Sequence, residues 1–407
     1  MPEEAPLNQW VRRIRTQYFG RLTLLAVCPN SRAVTRAALK AAAEAEAPLI
    51  FAATLNQIDR DGGYTGWTPQ TFTRFVRAEA RRLHLRIPIV FGLDHGGPWL
   101  KDRHVLEGYT YEQACSGVVA SIHDCLDAGY THLHLDATGQ PSWTSCDPLP
   151  VEIIVERTIR LMEEAERYRL AHNLPPVSYE VGTEEIQGGL TDTERFRHFL
   201  HQLDEALRQH VLQDRWPCFV VGQVGTDLHT THFDPARARM LTQEVLPYGA
   251  LLKGHYTDYV DNPEDYPLSG MGGANVGPEF TDVEYQALME LVRLARKTGF
   301  ASSLPDAIRQ AVLEDGRWKK WLREEERDKA FEALPSDRQD WLIRTGSRYI
   351  WSRPEVQEAR MRLYDAVAPY RNGEAFVEWR IKTAILAYYH RFNLLEATYR
   401  LAGESSS

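Results

Sequence analysis

The sequence predicts an α/β protein, a (β/α)8 TIM barrel followed by a helical C-terminal extension. Three observations carry this. Between residues 20 and 300, short apolar runs alternate with longer amphipathic segments, the arithmetic of eight strands and their helices over about 250 residues. Several of those runs end in carboxylates or imidazoles, and the C-terminal strand edge is where parallel α/β proteins gather their chemistry. After Phe300 the strand-like alternation stops, and charges and tryptophans take over. An open doubly wound sheet is the competing architecture, but it would normally carry a nucleotide-binding turn. The closest string, Gly270-Met271-Gly272-Gly273-Ala274-Asn275, lacks the last glycine of that fingerprint.

In chain order, strands are expected at 22–27, 48–54, 88–94, 132–136, 177–182, 218–225, 251–255 and 273–276. Helical periodicity fills 31–45, 68–83, 111–128, 151–172, 193–211, 235–245 and 282–298. Start signals mark the first turns: Ser31, Thr68-Pro69, Thr110-Tyr111-Glu112 and Asp234-Pro235. The connection 257–271 is rich in Pro, Asp and Gly and reads as a functional loop. Residues 1–300 are therefore assigned to a barrel carrying the active site, 301–402 to the helical extension and 403–407 to a disordered tail. Within the extension, 319–333 reads as a charged helix, and 375–401 repeats apolar residues at helical spacing. Trp318, Trp321, Trp341, Trp351 and Trp379 are read as core or interface anchors.

Composition narrows the function classes. Of 407 residues, 43% are hydrophobic and 25% charged, as in a soluble globular protein. A formal net charge of −9 disfavours a nucleic-acid partner, which needs a basic face. The five cysteines, Cys28, Cys115, Cys125, Cys146 and Cys218, are scattered and never spaced C-x-x-C. That fits a reduced, cytoplasmic location and implies neither a disulfide framework nor a thiolate zinc site. The N-terminus is acidic and lacks the apolar segment of a signal peptide. No apolar run is long enough to span a bilayer, so no membrane association is expected.

The strand ends hold the chemistry. An apolar run leads into Asp94-His95-Gly96-Gly97-Pro98. In His132-Leu133-His134-Leu135-Asp136, alternation puts His132, His134 and Asp136 on one face. His132, deepest in the strand, is read as part of a hydrogen-bonded polar layer, and Asp136 as functional. The fifth strand places Glu180, Gly182 and Glu184 on one face; a carboxylate there suits a divalent cation or general acid/base work. After the sixth, His229 and His232 share a loop that could supply one metal ligand. His255 follows an apolar run just as His95 does. Three ligands drawn from His95, His255 and a histidine or carboxylate of strands five or six would hold zinc, manganese, cobalt or nickel with open positions for a chelating substrate. The glycine-rich loops 61–66 and 270–278 offer close backbone approach to an anion or simple turns, and neither contains Lys or Arg.

These motifs, together with Asn56-Gln57, Gly62-Gly63-Tyr64-Thr65-Gly66, Gly182-Thr183-Glu184, Gln223 with Gly225, His255-Tyr256-Thr257-Asp258-Tyr259, Val276-Gly277-Pro278 and Tyr349-Ile350-Trp351, resemble a known family. It is the non-catalytic subunit family of class II tagatose-1,6-bisphosphate aldolases, some members of which carry the name tagatose-6-phosphate kinase. The resemblance implies a class II aldolase barrel, with Asp94 moving a proton and His95 and His255 binding the metal. On the strand-end reading, Glu184 and Asp136 are expected as catalytic carboxylates and His229 or His232 as a further ligand, and Asn56, Gly63, Tyr64, Gln223, Asp258 and Asn275 are expected around the substrate. The family pattern has Lys before Val-Gly-Pro where this chain has Asn275, one cation fewer for a phosphate. Some members resemble stabilising partners of a catalytic aldolase subunit; others are associated with C4 epimerisation between fructose and tagatose. The partners implied are a ketohexose or its phosphate, and either a second copy of the chain or an aldolase subunit. A sugar kinase fits poorly, because no Walker-type loop occurs.

The chemistry of a 4-epimerase can be reasoned separately. The C4 hydrogen of a 2-ketose is not α to the carbonyl, so enolisation cannot remove it. Inversion needs redox, for which no dinucleotide fingerprint is present, or retro-aldol cleavage of C3–C4 followed by re-addition.

Overall fold

The computed structural model describes residues 4–141, 149–183, 192–226 and 231–402. Eight parallel strands close into a barrel in sequential order. They are β1 (Leu24–Val27), β2 (Leu49–Thr54), β3 (Ile89–Asp94), β4 (His132–Leu135), β5 (Ser178–Gly182), β6 (Phe219–Val221), β7 (Leu251–Gly254) and β8 (Gly273–Val276). Each coincides with an expected run, the last one residue for residue and the others trimmed at one or both ends. The strands are buried almost throughout, so they read as apolar runs rather than half-exposed alternation. Closure comes from β8 pairing with β1, Ala26 opposite Asn275.

Several of the helices begin where short polar side chains satisfy free backbone donors. Ser31 caps Arg32–Glu44 by accepting from Val34 N–H, and Thr68 and Thr110 form reciprocal capping boxes with Thr71 and Gln113. Asp234 accepts from the N–H groups of Ala236 and Arg237. The helix expected from 282 starts four residues earlier, as Pro278–Lys297, because Pro278 is pre-set for a first helical position. An amphipathic helix, Pro6–Arg13, precedes the barrel and buries Leu7, Trp10 and Val11; no expectation covered it.

Beyond the barrel the described chain is helical: Leu304–Asp315, Ser336–Gly346, Pro354–Val367, Gly373–Arg391 and Ala397–Leu401. The charged helix expected over 319–333 does not form. Three short 3-10 turns stand there instead, Arg317–Trp321, Glu324–Glu326 and Phe331–Ala333. The charged run Arg323–Lys329 has no apolar stripe to bury, and a helix is held in place mainly by such a stripe. Buried Trp318 and Phe331, packed edge to face, and Arg338 on Glu326 dictate the path. Gly373–Arg391 packs against both Arg32–Glu44 and Pro278–Lys297, so one hydrophobic core runs from the barrel into the extension. Among the described residues no helix is long and apolar enough to cross a membrane. The tail expected at 403–407 lies outside them.

Candidate active site

β3 delivers Asp94 and His95 to the C-terminal mouth of the barrel, and the next residues fix their pose. Gly96 N–H donates to His134 O at 2.8 Å, extending the β3–β4 pairing past the strand. A Cβ on Gly97 would stand 1.6 Å from Asp136 O, so only glycine lets the turn press onto β4. His95 sits at φ +48° and Tyr256, after β7, at φ +56°. Left-handed backbone at bulky residues costs about 1–3 kcal/mol each, and such strain clusters where side chains must be aimed.

Four side chains converge. Asp94, His95, His134 and His255 each offer one ligand atom, all within 4.8 Å of one another. His95 Nδ1 lies 2.7 Å from Asp136 Oδ2, leaving its Nε2 facing His255 Nδ1 at 3.1 Å. His255 Nε2 lies 2.9 Å from Glu180 Oε1. Each imidazole thus gives one nitrogen to a carboxylate that fixes its tautomer, and turns the other inward. Asp94 Oδ1 meets His134 Nδ1 at 3.0 Å, and its Oδ2 accepts from Asn275 Nδ2 at 3.2 Å.

Beneath this cluster is a charged layer. Glu180, wholly buried on β5, is bound by Lys253 from β7 and, at 2.9 Å, by His132 from β4. His132 reaches Ser178 Oγ with its other nitrogen at 3.1 Å, the polar layer expected of it. A buried carboxylate is tolerated only with such partners.

The electrostatics follow from this crowding. Burial pushes the Asp94 carboxyl up, but the His95, His255 and His134 imidazoles outweigh it and hold it well below the usual carboxylate range. Burial opposes charge on His95, yet Asp94 and Asp136 raise it to about 9. His255 is pushed down to about 4, chiefly by burial. One imidazole therefore carries a proton between the carboxylates while its neighbour stays neutral. A divalent cation suits the same position: the inward nitrogens 3.1 Å apart match two ligands about 2.0–2.1 Å from one metal, and carboxylates already back both rings.

The other expected residues fall into three groups. Asn275 and Asp258 line the mouth cavity of roughly 310 Å³, together with Asn56 and Tyr64, while Gln223 lines a separate, smaller cavity with His95, His134 and His255. Several of these have structural duties as well. Asn56 bonds Leu100 O and Asp102 N–H, both at 2.9 Å. Tyr64 OH donates to Asn30 at 2.9 Å. Asp258 accepts from Gly277 and Glu279 N–H at 3.0 and 2.7 Å, capping the helix after β8. Gly63 is a turn residue at φ +52°, where a Cβ would lie 2.3 Å from Gln57 O. Asp136 orients His95 and spends its other oxygen on Thr138.

His232 is placed away from the cluster. Its side chain is 71% exposed and its Nδ1 faces Asp261 at 3.6 Å. Glu184 and His229 lie outside the described residues.

Two sets of residues were given no site role from sequence. Lys253 shares strand parity with His255, so alternation along Leu251–His255 was the available signal. Lys320, Trp321, Arg348 and Tyr349, from the extension, line the same mouth cavity as Asp94 and His95; no periodicity in the barrel segment announces them.

Residues 8–382 match the model of a family described as D-tagatose-1,6-bisphosphate aldolase subunit GatZ/KbaZ-like. Among solved structures, a probable tagatose 6 phosphate kinase from Sinorhizobium meliloti 1021 is similar at 25% identity, with TM-score 0.74 over 91% of this chain and 100% of that one. The fructose-bisphosphate aldolase of Campylobacter jejuni shares the fold at 11% identity, with TM-score 0.57 over 97% of this chain and 95% of that one.

Proposed function

The chain belongs to the D-tagatose-1,6-bisphosphate aldolase subunit GatZ/KbaZ-like family, and we propose that it is a metal-dependent ketohexose 4-epimerase acting by reversible C3–C4 cleavage. The observation that carries this reading is the convergence of Asp94, His95, His134 and His255 at one barrel mouth. His95 and His255 would hold a divalent cation through their inward nitrogens. Zinc, manganese, cobalt or nickel bound there supplies Lewis-acid polarisation of the substrate's C2 carbonyl and C3 hydroxyl.

The chain's own residues do the rest. Asp94, ionised across the neutral range, takes the C4 hydroxyl proton as the C3–C4 bond breaks, leaving a three-carbon enediolate and an aldehyde. His134 and Asn275 hold its two oxygens in place. Rotation of the aldehyde about C4–C5 presents its other face; C3–C4 re-forms and Asp94 returns the proton to the C4 oxygen. Trp99, Trp321 and Tyr349 wall the cavity, which favours retention of both fragments. An aldolase would share every step except that retention.

Purified chain incubated with fructose or tagatose and Mn²⁺, Co²⁺, Ni²⁺ or Zn²⁺ is expected to interconvert the two sugars. No conversion with any metal rejects the reading for these substrates. The family's description as an aldolase subunit favours a second reading, a stabilising partner without activity of its own. It predicts copurification with an aldolase chain and no turnover alone.

A further inference from the structure

Among the described residues that line the mouth cavity the barrel contributes no lysine or arginine, whereas the extension contributes Lys320 and Arg348. We propose that Arg348 is a specificity-determining residue, binding an anionic group, phosphate or carboxylate, on the ketose carbon chain.

Arg348 is only 8% exposed and lines the mouth cavity together with Asp94, His95 and His255. Its Nε donates to Thr345 O at 2.9 Å, and its guanidinium lies over Trp321, 4.6 Å from the ring centre, and near Tyr349 at 5.4 Å. Among the described residues, no carboxylate forms an ion pair with it, and neither of its terminal nitrogens has a protein acceptor. The other cation of the rim is already committed: Lys320 pairs with Asp102, which also takes Arg317 at 3.1 Å. Asp258, lining the same cavity, spends Oδ1 on two backbone N–H groups and feels the Arg348 charge, but forms no ion-pair contact with it.

A nearly buried guanidinium is costly without an anion bonded to it, and ring stacking and the Asp258 carboxylate at longer range offset only part of that. Stacking also holds the planar fork in one orientation, the geometry that meets a carboxylate or phosphate with two parallel hydrogen bonds. The anion would sit in the cavity that reaches Asp94, so it orients the sugar for cleavage instead of serving a remote site.

This rests on the epimerase reading for its substrate, but binding tests it without turnover. Calorimetry on the intact protein compares a ketohexose, its 6-phosphate and the corresponding keto-sugar acid with a C6 carboxylate. An anionic ligand is expected to bind about tenfold to a hundredfold more tightly than the neutral sugar, and Arg348→Gln to collapse that ratio towards one, with Arg348→Lys retaining part of it. Preference for the phosphate over the acid, or the reverse, identifies the anion. Equal wild-type affinity for neutral and charged ligands overturns the proposal, as does an Arg348→Gln protein that weakens all ligands alike. Should Arg348→Gln fail to fold, the wild-type ratio alone decides. Arg348-dependent binding without turnover would reject the epimerase reading and leave this one standing; turnover of fructose without anion preference does the opposite.

Discussion

Asp94 and His95 are neighbours in sequence with different duties, and two substitutions separate them. Asp94 is bonded on both oxygens, so Asp94→Asn keeps the shape of the site while removing the proton acceptor. It is expected to bind metal but lose turnover by about 10²–10⁴-fold; a wild-type rate removes Asp94 from the mechanism. His95→Ala is expected to abolish bound metal, measured on purified protein, and unchanged metal content refutes its ligand role. The pair was legible because Asp-His follows an apolar run and a Gly-Gly-Pro turn follows it. His134 was visible as a lining residue, but its place beside Asp94 depends on the β3–β4 stagger, Gly92 opposite His132, which no local pattern contains. His232 shows the converse failure, since a histidine in a strand-end loop can point into the mouth or out of it. Only the path of the chain decides.

At the scale of elements, strands and capped helices were readable because burial and end-capping write themselves into adjacent residues. The 3-10 stretch over Arg317–Ala333 was not, because its shape answers to Arg338 and to aromatic packing from distant positions. The loop from β7 to β8 and the helix after it carry a titration of their own. Glu279 accepts from Tyr259 N–H at 2.6 Å and from Tyr388 OH, but burial outweighs both and pushes its carboxyl up to about 7. Because the folded protein binds this proton more tightly than the unfolded chain, its contribution is fully present below about pH 4.5 and lost as pH rises through about 7. Denaturant unfolding across that window should show stability falling by about 3 kcal/mol from this group. Glu279→Gln, which keeps an acceptor, is expected to flatten the fall; an unchanged slope assigns it elsewhere.

For the whole molecule, the question is what joins the extension to the barrel closely enough for Arg348 to reach the mouth. Glu284, wholly buried on Pro278–Lys297, accepts from Ser31 Oγ at 2.5 Å and pairs with Arg360 Nη1 at 2.6 Å. Ser31 opens a barrel helix, and Arg360 lies on Pro354–Val367 of the extension, so one carboxylate ties three elements together. Arg360 is further fixed by Tyr364 OH, which its Nε meets at 2.8 Å. Removing Arg360 leaves Glu284 buried with a hydroxyl as its remaining partner, a loss of about 3–5 kcal/mol for a broken buried pair. Arg360→Met, close in volume, is expected to lower the denaturation midpoint accordingly, while the double substitution with Glu284→Gln recovers much of it, because no charge is then stranded. If the extension is a rigid wall of the site, the single variant also weakens ligand binding at a residue that touches no ligand. A midpoint within about 0.5 kcal/mol of wild type would mean that apolar packing of Gly373–Arg391 on the barrel suffices, with the ion pair contributing orientation alone.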